Sequence, residues 1–174
     1  NPEGEWFKCG VKDVKAAVLS VRDGILNEEN RTLDFGMRPE QVAAVKKTIT
    51  YFESFKKENG RKTPHFLWNA KMRFGKTFAT YQLAKKMVWK KVLVLTFKPA
   101  VHSAWQEDLA SHIDFQGWQF ISNDKETLNY DDVDKGGPFV CFGSFQDYLG
   151  KNTSTSGIKT KNKWVHDTKW DCVV

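Results

Sequence analysis

The sequence predicts an α/β protein: a parallel sheet with helices on both faces, three layers in all, preceded by an N-terminal helix. Three observations predict it. Lys91-Val92-Leu93-Val94-Leu95-Thr96 is a run of branched apolar residues, the mark of a parallel strand covered on both faces. Candidate strands and helices alternate from residue 66 to residue 174, the rhythm of right-handed β–α–β units. A glycine-bearing turn, residues 70–77, stands between a candidate strand and a candidate helix.

The elements follow in order. Residues 11–26 read as a helix, with Val14, Ala17, Val18, Val21 and Ile25 at helical spacing and Gly24 and Asn27 near its end. Residues 27–34 form a connector too charged to be core. Residues 39–57 read as a second helix, with Pro39 in its first turn and a stripe of Val42, Val45, Ile49 and Phe52. Asn59-Gly60 breaks it. Residues 66–70 read as a short buried strand, 71–75 as a loop and 76–88 as a helix. Residues 91–96 form the next strand and 101–112 the next helix. Further strands are expected at 118–121, at 139–142 after the Gly136-Gly137-Pro138 turn, and at 170–174. Residues 151–163, rich in Lys, Ser, Thr and Asn, are expected to be an exposed loop. The chain divides into a helical extension or linker, 1–34, and one α/β domain, 35–174.

The 174 residues suffice for one domain with a core, and 40% apolar with 28% charged content excludes a disordered tail. No run reaches the roughly 18 apolar residues of a membrane span, and nothing reads as a signal peptide. The missing initial Met suggests a piece of something longer. Three scattered cysteines are read as reduced thiols of a cytoplasmic protein, and the four histidines have no metal-ligand spacing. The net charge of +6 permits a polyanionic partner without proving one.

Ala70-Lys71-Met72-Arg73-Phe74-Gly75-Lys76-Thr77 fits the phosphate-binding loop pattern, with Ala in place of the first Gly. Backbone N–H groups of Lys71, Met72, Arg73, Phe74 and Gly75 can turn inward as a nest for phosphate. The following helix adds its positive end, and Gly75 allows close approach. Lys76 supplies a point charge and Thr77 a hydroxyl for Mg²⁺, so both are the expected catalytic residues and ATP with Mg²⁺ the expected cofactor.

With its neighbours, this loop resembles motif I of superfamily 2 helicases, and most closely the motor subunits of type I and type III restriction enzymes. Arg38-Pro39-Glu40-Gln41 is similar to the adenine-reading motif, with Gln41 pairing the base and Arg38 or Phe35 stacking on it. Residues 95–100 are similar to the motif that touches a DNA backbone, here through Lys98 and Pro99. Residues 140–146 are similar to the next motif, which would bring Ser144 and Gln146 to DNA. Residues 169–174 look like the strand that delivers the Asp-Glu-x-His box, expected just after Val174. The resemblance implies a RecA-like P-loop fold, a first motor lobe truncated before that box, and an ATP-driven DNA helicase or translocase of a restriction system, with the fragment itself inactive. Implied partners are DNA, a second RecA-like lobe, and nuclease and methyltransferase or specificity parts. Gly4-Glu5-Trp6-Phe7-Lys8 is similar to the closing segment of GIY-YIG nucleases, or is an ordinary aromatic anchor.

Two other readings stay open. A P-loop kinase would share Lys76 and Thr77 but leaves Arg38-Pro39-x-Gln41 unexplained. A non-catalytic nucleic-acid-binding module would leave the intact Gly75-Lys76-Thr77 unexplained. Among the tryptophans, Trp68, Trp105 and Trp118 are expected to pack, and Trp164 is the candidate for base stacking.

Overall fold

The structure, a computed structural model, describes residues 8–125, 127–148 and 162–174, and for Pro99 the backbone alone. Helix α1, Val11–Asp23, starts where the Asp13 carboxylate accepts the Gly10 N–H at 2.8 Å. It ends at Gly24, whose φ of 63° is the left-handed conformation glycine tolerates. Helix α2, Pro39–Asn59, has proline in its first turn and stops at Gly60. Helix α3 is Lys76–Lys86 and strand β1 is Lys91–Thr96. Helix α4, His102–Ser111, follows a 3₁₀ turn at Pro99–Val101. Strands β2, Gln119–Ile121, and β3, Phe139–Ser144, come next. Short helices α5, Phe145–Tyr148, and α6, Lys163–Asp167, precede strand β4, Cys172–Val173.

The four strands form one all-parallel sheet in the order β2-β3-β1-β4. Side-chain alternation divides its residues between two faces. Val92, Val94, Val140 and Phe142 pack with Phe78 and Tyr81 of α3 and Leu109 of α4. Leu93, Phe139 and Cys141 pack on the other face with Tyr148 of α5 and Val165 of α6. Helix α2 lies outside α3, with Val45 against Ala79 and Leu83. The Cys141 thiol, buried in the second cluster, is pushed up to about 12 by desolvation.

Four expectations change. Residues 66–70 are extended but pair with no strand among the described residues. Their alternation is real: Phe66, Trp68 and Ala70 are half-buried, while Leu67 is 89% exposed. The inward face lies on α2 instead of in the sheet. Phe66 packs against Tyr51 and Phe52, and the Trp68 indole donates to Thr48 Oγ1 at 2.8 Å. A buried run signals a covered face, not which element covers it.

The connector at 27–34 is not wholly exposed, because Asn27 and Arg31 are buried. The Arg31 guanidinium donates to the carbonyls of Leu109 and His112 at the end of α4 and pairs with Glu29. It therefore satisfies orphan helix-end acceptors, which makes its burial tolerable. The apolar repeat of α1 faces solvent, whereas Ala16 and Leu19 on its other side are buried.

Trp164 is not available as a base platform. Its ring stacks on Tyr130 at 4.1 Å and 14°, with Lys135 Nζ 4.4 Å from the Tyr130 centroid. Residues 1–7 and 149–161 lie outside the described residues, and with them the segment 4–7 and most of the loop expected at 151–163. No helix among those described is long and apolar enough to cross a membrane.

Candidate functional site

The turn before α3 is built from two left-handed residues, Arg73 at φ 64° and Gly75 at φ 75°. Phe74 N–H donates back to the Lys71 carbonyl at 3.3 Å and closes the turn. Gly75 is then the residue before the first turn of α3, whose leading N–H groups have no intrahelical acceptor. No acidic residue lies in that turn. Lys76 Nζ bends back to donate to the Lys71 carbonyl at 3.1 Å, so its charge sits over the loop. Met72 is 89% exposed at the tip.

Helix α2 holds this turn from behind. Gln41 is buried, and its Oε1 accepts Arg38 N–H at 2.8 Å. Its Nε2 donates to Phe74 O at 2.8 Å and to Gly75 O at 3.3 Å. Arg38 Nη2 donates to Arg73 O at 2.9 Å and also to Phe74 O. Arg38 keeps one acid nearby, Glu40, at 3.2 Å. In this arrangement the amide of Gln41 and the guanidinium of Arg38 are occupied by loop carbonyls. Phe35, 48% exposed, lies edge-on to His112 and tilted against Phe78.

The far end of α3 is pinned by Asp114, which accepts from Gln82 at 2.6 Å and Lys85 at 2.7 Å. Burial would raise the Asp114 carboxyl, but these two donors outweigh it and hold the group below its ordinary value.

The remaining expected residues share one edge of the sheet. Thr96 pairs in register with Ser144, so β1 and β3 end together. Lys98 stands exposed just beyond β1, and Gln146 stands exposed just beyond β3. Pro99 opens the 3₁₀ turn before α4. Ser144 itself is buried. Its Oγ donates to Asp147 Oδ2 at 2.6 Å and accepts Asp147 N–H at 3.1 Å, a reciprocal cap on α5. The start of α3 packs beyond the far end of α4, where Phe78 meets His112 and Phe115. Ligands of parallel α/β sheets collect at the carboxyl edge of the strands as a rule.

The residues present suit a phosphate: two left-handed residues in one turn, the helix-start amides and the cations Lys76, Lys71 and Arg73. They suit a tightly chelated metal less well. Among the described residues no three His, Cys, Asp or Glu side chains group to hold one. Thr77 is half-buried at the start of α3.

Two features were beyond sequence reasoning. One is the anchoring of loop carbonyls by Arg38 and Gln41 across more than thirty residues. The other is the self-contact of Lys76 with Lys71. The Gln three residues after the helix-capping position was the available signal for the first.

These features define a parallel α/β protein with a glycine-hinged, cation-rich turn before its third helix. The chain is 41% identical over 123 residues, 71% of its length, to a Mycoplasma pneumoniae protein. That protein is named for the C-terminus of a type II restriction enzyme and methyltransferase, and the match spans 16% of it. No protein-family model matches the chain, and no solved structure matches it. This likeness corrects the expected activity. The relative is named for a type II restriction and methylation system, not for a helicase or for a type I or type III motor subunit. The reading as the ATP-binding lobe of a DNA helicase or translocase, an ATP hydrolase, is set aside on that finding.

Proposed function

We propose that this chain is a DNA-contacting part of a restriction–modification protein and that loop 71–77 receives a phosphate group there. The observation that carries the reading is the build of the loop. Left-handed Arg73 and Gly75 turn the chain into the first amides of α3, with Lys76 folded over them. The relative's name, a restriction enzyme and methyltransferase, supplies the setting.

Lys98, Pro99 and Gln146, just beyond the paired ends of β1 and β3, suit a DNA backbone, with contacts indifferent to sequence. Ser144 caps α5, which fixes Gln146. Arg38 and Gln41 hold the loop open in shape. In finer detail, we read residues 35–174 as one domain of the RecA-like three-layer type. Support for that is a parallel sheet covered on both faces. Phosphate could reach the loop from a DNA backbone or from ATP with Mg²⁺ held by Thr77.

Fluorescence anisotropy with labelled duplex DNA tests this. Binding should weaken steeply as salt rises. It should weaken about tenfold in Lys76→Ala if the loop holds one phosphate through a charge-assisted contact. Competition by MgATP separates the two sources: displacement of DNA assigns the loop to nucleotide, and no displacement assigns it to the backbone. If Lys76→Ala changes neither DNA nor MgATP binding, the loop holds no phosphate.

A further inference from the structure

Among the described residues, nothing covers the apolar repeat of α1. Val11, Val14, Val18, Val21 and Ile25 recur at spacings of three, four, three and four. They are 74, 50, 59, 85 and 51% exposed. Val11, Val14, Val18 and Val21 keep the a/d spacing of a helix seam, with β-branched side chains that fill facing holes well, and Ile25 follows just past the helix end at Gly24. The helix is not loosely attached. Ala16 and Leu19 are buried on its opposite side, and the Asn27 amide donates to Ala16 O at 3.2 Å. Gln116 Nε2 donates to Leu26 O at 2.6 Å. The seam is therefore presented in a fixed direction.

Its size is that of an interface. With Leu26, the seam leaves on the order of 500 Å² of apolar surface uncovered, near the top of what monomers expose. One side of a standard interface covers about 800 Å², of which about 60% is apolar, so the area suits one partner. The flanks say what kind. Lys15 and Arg22, seven residues apart, border one edge of the seam. Arg22 is shared with Asp23 and Asp34, which leaves Lys15 the more available. The other edge carries Ala17 and Gly24, small enough for close approach. A second copy would bring the same basic edge and the same +6 charge, so like would meet like.

We infer that α1 docks an amphipathic helix of a partner, with an apolar seam flanked by carboxylates that face Lys15. This does not rest on the phosphate loop, which belongs to a different part of the fold.

A synthetic three-heptad peptide with Leu at the seam and Glu at its flanks is the probe, followed by fluorescence anisotropy. A second peptide carries Lys in place of Glu. The Glu peptide should bind saturably. Binding should fall about tenfold with the Lys peptide or with Lys15→Glu, and be lost with Val18→Glu. Val18 is exposed, so circular dichroism of that variant should match the parent. Equal binding of the two peptides, or undiminished binding by Val18→Glu, overturns the assignment. So does sedimentation of the chain alone as a dimer that Val18→Glu dissociates, since the occupant would then be a second copy.

Discussion

Gln41 Nε2 on α2 donates to the carbonyl of Phe74, 33 residues further along, at 2.8 Å, and its Oε1 accepts the N–H of Arg38. One buried amide thus starts a helix and fixes a loop. Gln41→Ala removes one donor from each of two loop carbonyls, leaving Phe74 O to Arg38 and Gly75 O to the Ala79 N–H. We expect a loss of about 1–2 kcal/mol in urea unfolding. Limited trypsin digestion should also cut faster after Lys71 and Arg73. A digestion rate equal to that of the parent would show that Arg38 alone holds the loop.

Gly75 meets two constraints at once. Its φ is 75°, and an added Cβ would lie 2.6 Å from Gln41 Nε2. Gly75→Ala should cost about 1–2 kcal/mol for the left-handed backbone alone. Displacement of the Gln41 amide adds to that. Chemical denaturation measures it. A variant as stable as the parent would mean the loop does not need this geometry.

Gly143 is a harder limit, because a Cβ there would lie 2.0 Å from Tyr148 Cε2 in the buried face of the sheet. The ring cannot retreat easily, since its hydroxyl donates to Phe142 O at 3.1 Å. Gly143→Ala should destabilise by about 2–3 kcal/mol through overpacking. Thermal unfolding reads the shift, and an unchanged midpoint contradicts the packing.

The pH dependence of the α3 anchor has a definite sign. The folded Asp114 carboxyl is depressed below its ordinary 3.8 by Lys85 and Gln82, against burial. Its stabilisation is present above about pH 4 and is lost as pH falls through the folded value. The pair is partly exposed, so about 0.5 kcal/mol is expected after solvent screening. Asp114→Asn should therefore be less stable than the parent at neutral pH, and the gap should close below pH 4. A gap that widens on acidification would reverse the assignment.

Much of the fold was legible, for physical reasons. β1 could be read residue by residue because a strand covered on both faces is apolar throughout. α2 announced its start with Pro39 and its end with Gly60. Extended backbone at 66–70 was legible, but its partner was not, because alternation records a covered face and α2 covers it as well as a strand would. The stripe on α1 misled in the same way: periodicity reports an apolar face and not what meets it. Arg31 was hidden because its burial depends on two carbonyls about eighty residues away. At the site, Gly75 and Lys76 were legible from local pattern, while the hold of Arg38 and Gln41 on the loop was not. The motor activity expected from motif likeness did not survive comparison with the relative.

The most direct test of the phosphate loop is an NMR titration of amide shifts with inorganic pyrophosphate. The account predicts saturable shifts at Gly75, Lys76 and Thr77 that vanish in Lys76→Ala, with the rest of the spectrum unmoved. Unmoved amides at those three residues, or the same shifts in the variant, would contradict it.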